Sequence, residues 1–175
     1  MFYIFLLLYK IPYSDCEQWF RETYAEYNLH NIDVCTDLFK APNLDVYKAI
    51  FIGGGNTFKL LKEIKESGFD TKIKDYLETG GFIYGGSAGA IIFGETIETS
   101  SHADKNLVRL KDLTGLNLLK GYDVWCHYNE DKDKKEVLEL MRPTFVLYEE
   151  LWLLFDGNKI ETIGKEHLIF PDDFE

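Results

Sequence analysis

Short apolar runs alternate with stretches of helical spacing along most of the chain. Apolar runs of strand length lie at 2–9, 32–39, 49–52, 82–84 and 122–126. The stretches between them predict one helix that begins at Ser14, a second that Thr57 caps, and three more over about 71–78, 88–93 and 131–141. Strands that alternate with helices indicate an α/β layered fold with a mostly parallel sheet.

The chain ends in a different pattern. Two apolar runs, 151–155 and 159–163, flank Asp156-Gly157-Asn158, which predicts a C-terminal β-hairpin and a mixed edge to the sheet. Residues 168–170 are a candidate edge strand. Residues 95–120 show no clear period, so we expect loops with a strand or a helical turn there.

Length and charge narrow the classes of function. At 175 residues the chain is expected to form one domain over 1–175. A net charge of −11 disfavours nucleic acid and anionic membranes as partners. Three cysteines without a Cys-x-x-Cys pair predict neither a disulfide framework nor a zinc site, which fits a cytoplasmic protein. The apolar start carries no preceding basic residue and no cleavage site, so we interpret it as a strand and not as a signal peptide.

Gly85-Gly86-Ser87-Ala88-Gly89 matches the G-x-S-x-G pattern between a predicted strand and a predicted helix. This is the context of a nucleophile elbow, in which small neighbours permit a sharp turn that exposes the serine hydroxyl. The same turn directs the backbone N–H of Ala88 at an incoming oxyanion. The alternative is a glycine-rich turn that only packs.

A second glycine cluster, Gly53-Gly54-Gly55-Asn56-Thr57, also follows a strand and opens a helix. In a parallel sheet two such turns can lie side by side at the carboxyl edge, where a glycine turn can supply a second oxyanion donor. Phosphate binding is the rival interpretation, but neither glycine-rich phosphate motif is present.

A serine nucleophile needs a base and a carboxylate that orients it. His127 directly follows an apolar strand run and is the favoured base, with His102 second. Position alone leaves the carboxylate open, although Glu149 and Glu150 stand just before an apolar run. Cys126 lies inside the strand pattern and is interpreted as a buried small hydrophobe.

With both glycine turns in this order, the chain resembles the peptidase E family over roughly residues 45–165. These are serine peptidases of the aspartyl-dipeptidase type. The resemblance implies a three-layer αβα sandwich similar to class I glutamine amidotransferases. It implies a triad in which Ser87 is the nucleophile, His127 the base and Glu149 the acid, with Glu150 as the fallback. It also implies that the backbone N–H groups of Gly55 and Ala88 bind the oxyanion and that Asn56 shapes the loop beside them. Asp104 is a candidate partner for the substrate amino group.

The expected function is hydrolysis of short peptides through an acyl-enzyme, with dipeptides that begin with Asp as the implied substrates. The alternatives are another amide or ester hydrolase on the same triad, or a small-molecule-binding relative that has lost turnover. No metal or cofactor motif is present. A small peptide is expected as the substrate, and the chain is expected to be a monomer or a homodimer.

Overall fold

The computed structural model describes residues 3–7, 13–27, 29, 31–156 and 159–164. The chain divides into two compact units, Met1–Gly89 and Ala90–Glu175. None of the described helices combines the length and apolar character that a membrane-spanning segment needs.

A four-stranded parallel sheet forms the centre of the first unit. Its strands are β1 (Tyr3–Leu7), β2 (Asn31–Val34), β3 (Ala49–Ile52) and β4 (Ile83–Gly85), in the order β2-β1-β3-β4. The last residues of β3 and β4 are paired with each other. The turns that follow these two strands therefore start from neighbouring positions at the carboxyl edge of the sheet.

Helices α1 (Tyr13–Thr23), α2 (Thr57–Glu66) and α3 (Phe69–Glu78) complete this unit. Phe51 of β3 packs in one buried cluster with Cys16 and Phe20 of α1. Because side chains alternate across a strand, Ile50 and Ile52 point to the other face, and both are fully buried. The strand is thus covered on both sides, and the prediction of a layered α/β fold with parallel strands is confirmed.

The second unit contains one parallel and one antiparallel pair of strands. Strands β5 (Asp123–Cys126) and β6 (Thr144–Leu147) are parallel, and α5 (Glu130–Glu139) connects them. The predicted hairpin is present as β7 (Trp152–Phe155) and β8 (Ile160–Ile163). Among the described strands these two pair only with each other. The short helix α4 (Ala88–Ile91) follows the elbow, and Gly157, Asn158 and the candidate strand at 168–170 lie outside the described residues.

Three local predictions need correction. Strand β2 ends at Val34, since Asp37 accepts a hydrogen bond from Phe39 N and starts a 3₁₀ turn at Leu38–Lys40. Helix α2 is capped by Asn56 and not by Thr57, which is its first helical residue. Strand β6 was not predicted at all.

A buried charge anchors the start of β5. The carboxylate of Asp123 is fully buried and accepts hydrogen bonds from Arg142 Nε at 2.8 Å, Thr96 N at 2.6 Å and Thr96 Oγ1 at 2.9 Å. Arg142 also contacts Glu95 at 2.7 Å. These bonds tie residues 95–96, of which Thr96 forms an isolated antiparallel bridge with Thr114, to the amino ends of β5 and β6.

Candidate active site

Ser87 occupies the sharp turn that joins β4 to α4. Its backbone is left-handed, with φ at 52°, and its side chain is half-buried. This region is uncommon for residues other than glycine and costs free energy, so it is maintained only where the surroundings impose it. The geometry is that of the elbow predicted from the sequence.

Close packing against β3 imposes this turn. Gly86 N donates to the carbonyl of Ile52 at 2.9 Å, and Gly89 N donates to Gly86 O at 3.0 Å. A Cβ added at Gly89 would lie only 2.1 Å from Ile52 O. Glycine two positions after the serine is therefore a steric requirement, because the first turn of α4 crosses directly over the end of β3.

The second glycine turn lies against the elbow, within the same unit. A Cβ added at Gly54 would lie 3.2 Å from Ser87 Cβ and 3.6 Å from its Oγ. Gly55 has a φ of 148°, which favours glycine. Asn56 then caps α2 by accepting a hydrogen bond from Lys59 N at 3.0 Å. Gly55, Asn56, Ser87 and Ala88 thus lie on two adjacent turns at one edge of one sheet.

His127 and Glu149 meet in the second unit. His127 is the first residue after β5, and Glu149 comes two residues after β6, the parallel neighbour of β5. His127 Nδ1 lies 2.6 Å from Glu149 Oε1. Because a carboxylate only accepts, Nδ1 carries the proton in the neutral ring and Nε2 has the lone pair. This is the tautomer that a general base opposite a serine requires.

Backbone strain marks both residues of the predicted nucleophile–base pair. His127 has φ at 57°, so it is left-handed like Ser87. Among the described residues only six that are not glycine have positive φ, and these two are among them. The side chains of His127 and Glu149 are 54% and 76% exposed. The pair is therefore accessible from solvent and not part of a core.

His102, the second candidate for the base, has a structural environment. Its ring stacks on Trp125 with centroids 4.1 Å apart, and its Nδ1 lies 2.7 Å from Thr99 O. Asp104 lies in the following turn, where its N–H donates to the carbonyl of Ser100 at 2.8 Å. A role for Asp104 with the substrate stays a prediction.

Cys126 does not have the environment of a nucleophile. It is buried at the end of β5, and this burial, with a smaller contribution from the charge of Glu149, raises the pKa of its thiol from 9.0 to about 12. The thiol is therefore neutral at physiological pH. The interpretation of Cys126 as a small buried side chain agrees with this position.

Sequence reasoning missed three residues around the site. Gly54 contacts Ser87, but only the register between β3 and β4 reveals this, so the run of three glycines was the sole signal. Tyr128 and Tyr148 flank His127 and Glu149 in sequence and pack on each other. Within the described ranges, no group of three or more His, Cys, Asp or Glu side chains is arranged to hold a metal ion.

Comparisons with known proteins agree with this chemistry. The model of peptidase family S51 matches residues 14–169. An uncharacterized peptidase of Listeria monocytogenes is 31% identical over 67% of this chain and 57% of its own length. Peptidase E of Escherichia coli is 39% identical over 67% of this chain and 52% of its own length. The chain thus spans about half the length of these curated relatives.

A solved structure matches the fold more completely. The crystal structure of a candidate peptidase E protein from Listeria monocytogenes has a TM-score of 0.76 and 21% sequence identity to this chain. The match covers 94% of this chain and 86% of that one. The α/β architecture is therefore shared along almost the whole chain.

Proposed function

The chain belongs to peptidase family S51, and from this premise we propose that it is a serine peptidase in which Ser87 attacks the scissile carbonyl. The observation that carries the proposal is the 2.6 Å contact between His127 Nδ1 and Glu149 Oε1. A histidine held in this tautomer by a carboxylate is what a serine hydroxyl needs, because the hydroxyl alone is a poor nucleophile at neutral pH.

Each residue of the triad has one task. His127 Nε2 accepts the proton of Ser87 as the Oγ–carbon bond forms, and it later gives that proton to the leaving amine. Glu149 keeps the ring in the required tautomer and stabilises the imidazolium that forms. Water then hydrolyses the acyl-enzyme, with His127 again as the base, and Ser87 is regenerated.

The oxyanion is assigned to the two adjacent glycine turns. Ala88 N–H opens α4, where the helix start adds partial positive charge, and Gly55 N–H comes from the neighbouring turn. Loss of one such donor costs on the order of 3 kcal/mol of transition-state stabilisation. The close packing of Gly54 on Ser87 supports this assignment, since it brings the second turn next to the nucleophile.

The proposed substrates are short peptides, in particular dipeptides that begin with Asp. The name of the Escherichia coli relative, Peptidase E, supports a peptide substrate. Asp104 would pair with the substrate amino group, and Asn56 would shape the loop beside the scissile bond. Both assignments extend the family resemblance to this chain.

Active-site labelling tests the proposal directly. The full chain is treated with a fluorophosphonate and its intact mass is measured, together with Ser87→Ala and the control Ser101→Ala, which removes an exposed hydroxyl. We expect one label on the wild type and on Ser101→Ala and none on Ser87→Ala. A folded wild type that takes no label would overturn the proposal and favour a binding protein.

A substrate panel then tests the specificity. Asp-X dipeptides are offered beside dipeptides with other first residues and beside simple esters. Turnover confined to Asp-X supports the proposed substrate class. If only the esters are turned over and Ser87→Ala abolishes that turnover, the triad is active but its reaction is ester hydrolysis.

A further inference from the structure

Two tyrosines connect the segments that carry His127 and Glu149. Tyr128 directly follows His127, and Tyr148 directly precedes Glu149. Their rings meet edge to face, with centroids 5.3 Å apart and planes at 89°. This is a favourable arrangement for aromatic pairs, because the positive ring edge faces the negative ring face.

The contact between His127 and Glu149 is too exposed to hold its own geometry. Both side chains are more than half exposed, and an exposed ion pair contributes little after solvent screening and the entropy of ordering two side chains. Something else must keep the two segments in register if the 2.6 Å contact is to persist.

The backbone fixes the histidine side of the pair. Strand register pairs Cys126 with Leu147, and Tyr128 N donates to Leu147 O at 3.0 Å. The ladder thus resumes directly after His127, so the left-handed turn at His127 is held from both ends.

The glutamate side depends more on side-chain packing. After Leu147 the chain leaves β6, and a turn bond from Leu151 N to Tyr148 O at 3.1 Å is local to that segment. The ring of Tyr148 joins this turn to the buried core of the unit. Its partner Tyr128 is 4% exposed and packs with Trp125, Val137 and Val146.

We propose that Tyr148, packed on Tyr128, is a positioning residue that holds Glu149 against His127 Nδ1. The ring of Tyr148 is what matters here, since it is the edge-to-face contact that spans the two segments. The ring of Tyr128 also matters more than its hydroxyl, since Oη is buried and finds no hydrogen-bond partner among the described residues. The effect of Tyr148 on catalysis rests on the proposed function, whereas its effect on the contact between His127 and Glu149 does not.

The chain offers a matched control at the other end of the same strands. Tyr122 stacks on Phe145 with centroids 4.4 Å apart and planes at 15°. Tyr122 is half-buried, as Tyr148 is, but it precedes β5 whereas the dyad follows it. Tyr122→Ala therefore removes a comparable ring contact without touching the segments of His127 and Glu149.

The test measures the tautomer of His127 by ¹⁵N chemical shifts in full-length protein, at a pH where the ring is neutral. Tyr148→Ala is expected to shift the ring from the Nδ1–H form toward the Nε2–H form. Tyr148→Phe and Tyr122→Ala are expected to retain the wild-type balance. Glu149→Ala gives the reference for complete loss of the partner. A Tyr148→Ala protein with the wild-type tautomer balance would overturn the proposal, as would a Tyr122→Ala protein that shifts equally.

Kinetics separate this proposal from the proposed function. The rate of fluorophosphonate labelling is expected to fall on the order of 10²-fold in Tyr148→Ala, because a misplaced base loses most of its advantage, and to be restored in Tyr148→Phe. If the wild type is not labelled at all, the proposed function fails, while the tautomer measurement still decides whether Tyr148 positions Glu149.

Discussion

Gly54 and Ser87 lie in the turns that follow β3 and β4, and they are so close that a Cβ added at Gly54 would lie 3.2 Å from Ser87 Cβ. Such a contact is tighter than side chains normally make, so Ser87 would have to move by a few tenths of an ångström. The absence of a side chain at Gly54 is thus part of how the nucleophile is placed.

Gly54→Ala is therefore expected to lower the rate of fluorophosphonate labelling at Ser87 on the order of tenfold, because small displacements of reacting atoms are costly. Gly68→Ala is the control. Gly68 has nothing within 4 Å of an added Cβ but has φ at 69°, so this change costs about 1 kcal/mol of stability. It should leave labelling unchanged. Equal labelling of wild type and Gly54→Ala would contradict the steric role.

Gly89→Ala is expected to destabilise the fold by about 3 kcal/mol, measured as a shift of the urea midpoint. The added methyl would collide with the backbone carbonyl of Ile52 at 2.1 Å, which can be relieved only by moving α4 or β3. At Gly86 the nearest atom is Tyr84 Cε1 at 3.6 Å. Gly86→Ala should therefore unfold near the wild-type midpoint, and similar losses in both variants would argue against a specific crossing at Gly89.

Glu149→Gln is expected to lower kcat on the order of 10³- to 10⁴-fold, since the amide no longer stabilises the imidazolium or selects the tautomer. Glu150→Gln supplies the matched control at the next position and should retain turnover. The measurement is hydrolysis of an Asp-X dipeptide at saturating substrate. A larger loss in Glu150→Gln would transfer the acid role to that residue.

Arg142→Leu is expected to destabilise the protein by about 3 kcal/mol in urea, because it leaves the fully buried carboxylate of Asp123 without its cation. The control is Arg21→Leu in the exposed pair with Glu17, which should cost less than about 1 kcal/mol. Equal losses of unfolding free energy in the two variants would show that burial of Asp123 does not increase the contribution of its ion pair to stability.

Stability is expected to fall above about pH 9 because of Cys126. Its thiol stays neutral in the folded protein up to about pH 12 but ionises near 9.0 once unfolded. The unfolded state therefore loses a proton that the folded state keeps, and the free energy of unfolding decreases as pH rises from 9 toward 12. At pH 10 this loss amounts to about 1.4 kcal/mol.

Cys126→Ala isolates this contribution. The difference in unfolding free energy between wild type and Cys126→Ala is measured from pH 7 to 10. It should be constant up to about pH 8.5, and above that pH the wild type should lose stability relative to Cys126→Ala. Burial also raises the pKa of Cys35, but that residue is present in both proteins and cancels. A difference that stays flat to pH 10 would mean that the folded protein admits the Cys126 thiolate.

The sequence predicted most of the strands whose own residues form an apolar run bounded by turn residues. Strand β3 was placed at its observed bounds, since four apolar residues run straight into a glycine cluster. Strand β6 was missed although Phe145, Val146 and Leu147 form an apolar run directly after Thr144, which is a signal comparable to that of β3. The strand expected at 32–39 was too long, because Asp37 offers the backbone a local hydrogen bond that competes with the ladder.

In the candidate site, too, some features follow from consecutive residues and others depend on the tertiary fold. The elbow at Ser87 is encoded in five consecutive residues, so its strained turn could be predicted from the sequence. The contact of Gly54 with Ser87 and the contact of Glu149 with His127 depend on which strands are neighbours and in which register. Thirty acidic residues could have supplied the carboxylate, and only the family resemblance favoured Glu149.

The left-handed backbone at Ser87 also has an evolutionary consequence. Glycine would adopt that φ of 52° without the 1–2 kcal/mol or so that a side chain costs there. A lineage with no use for the hydroxyl would therefore gain stability by replacing serine with glycine, a change that a single nucleotide makes in the serine codons AGC and AGT. Serine at this position is a residue that selection for stability alone would tend to remove.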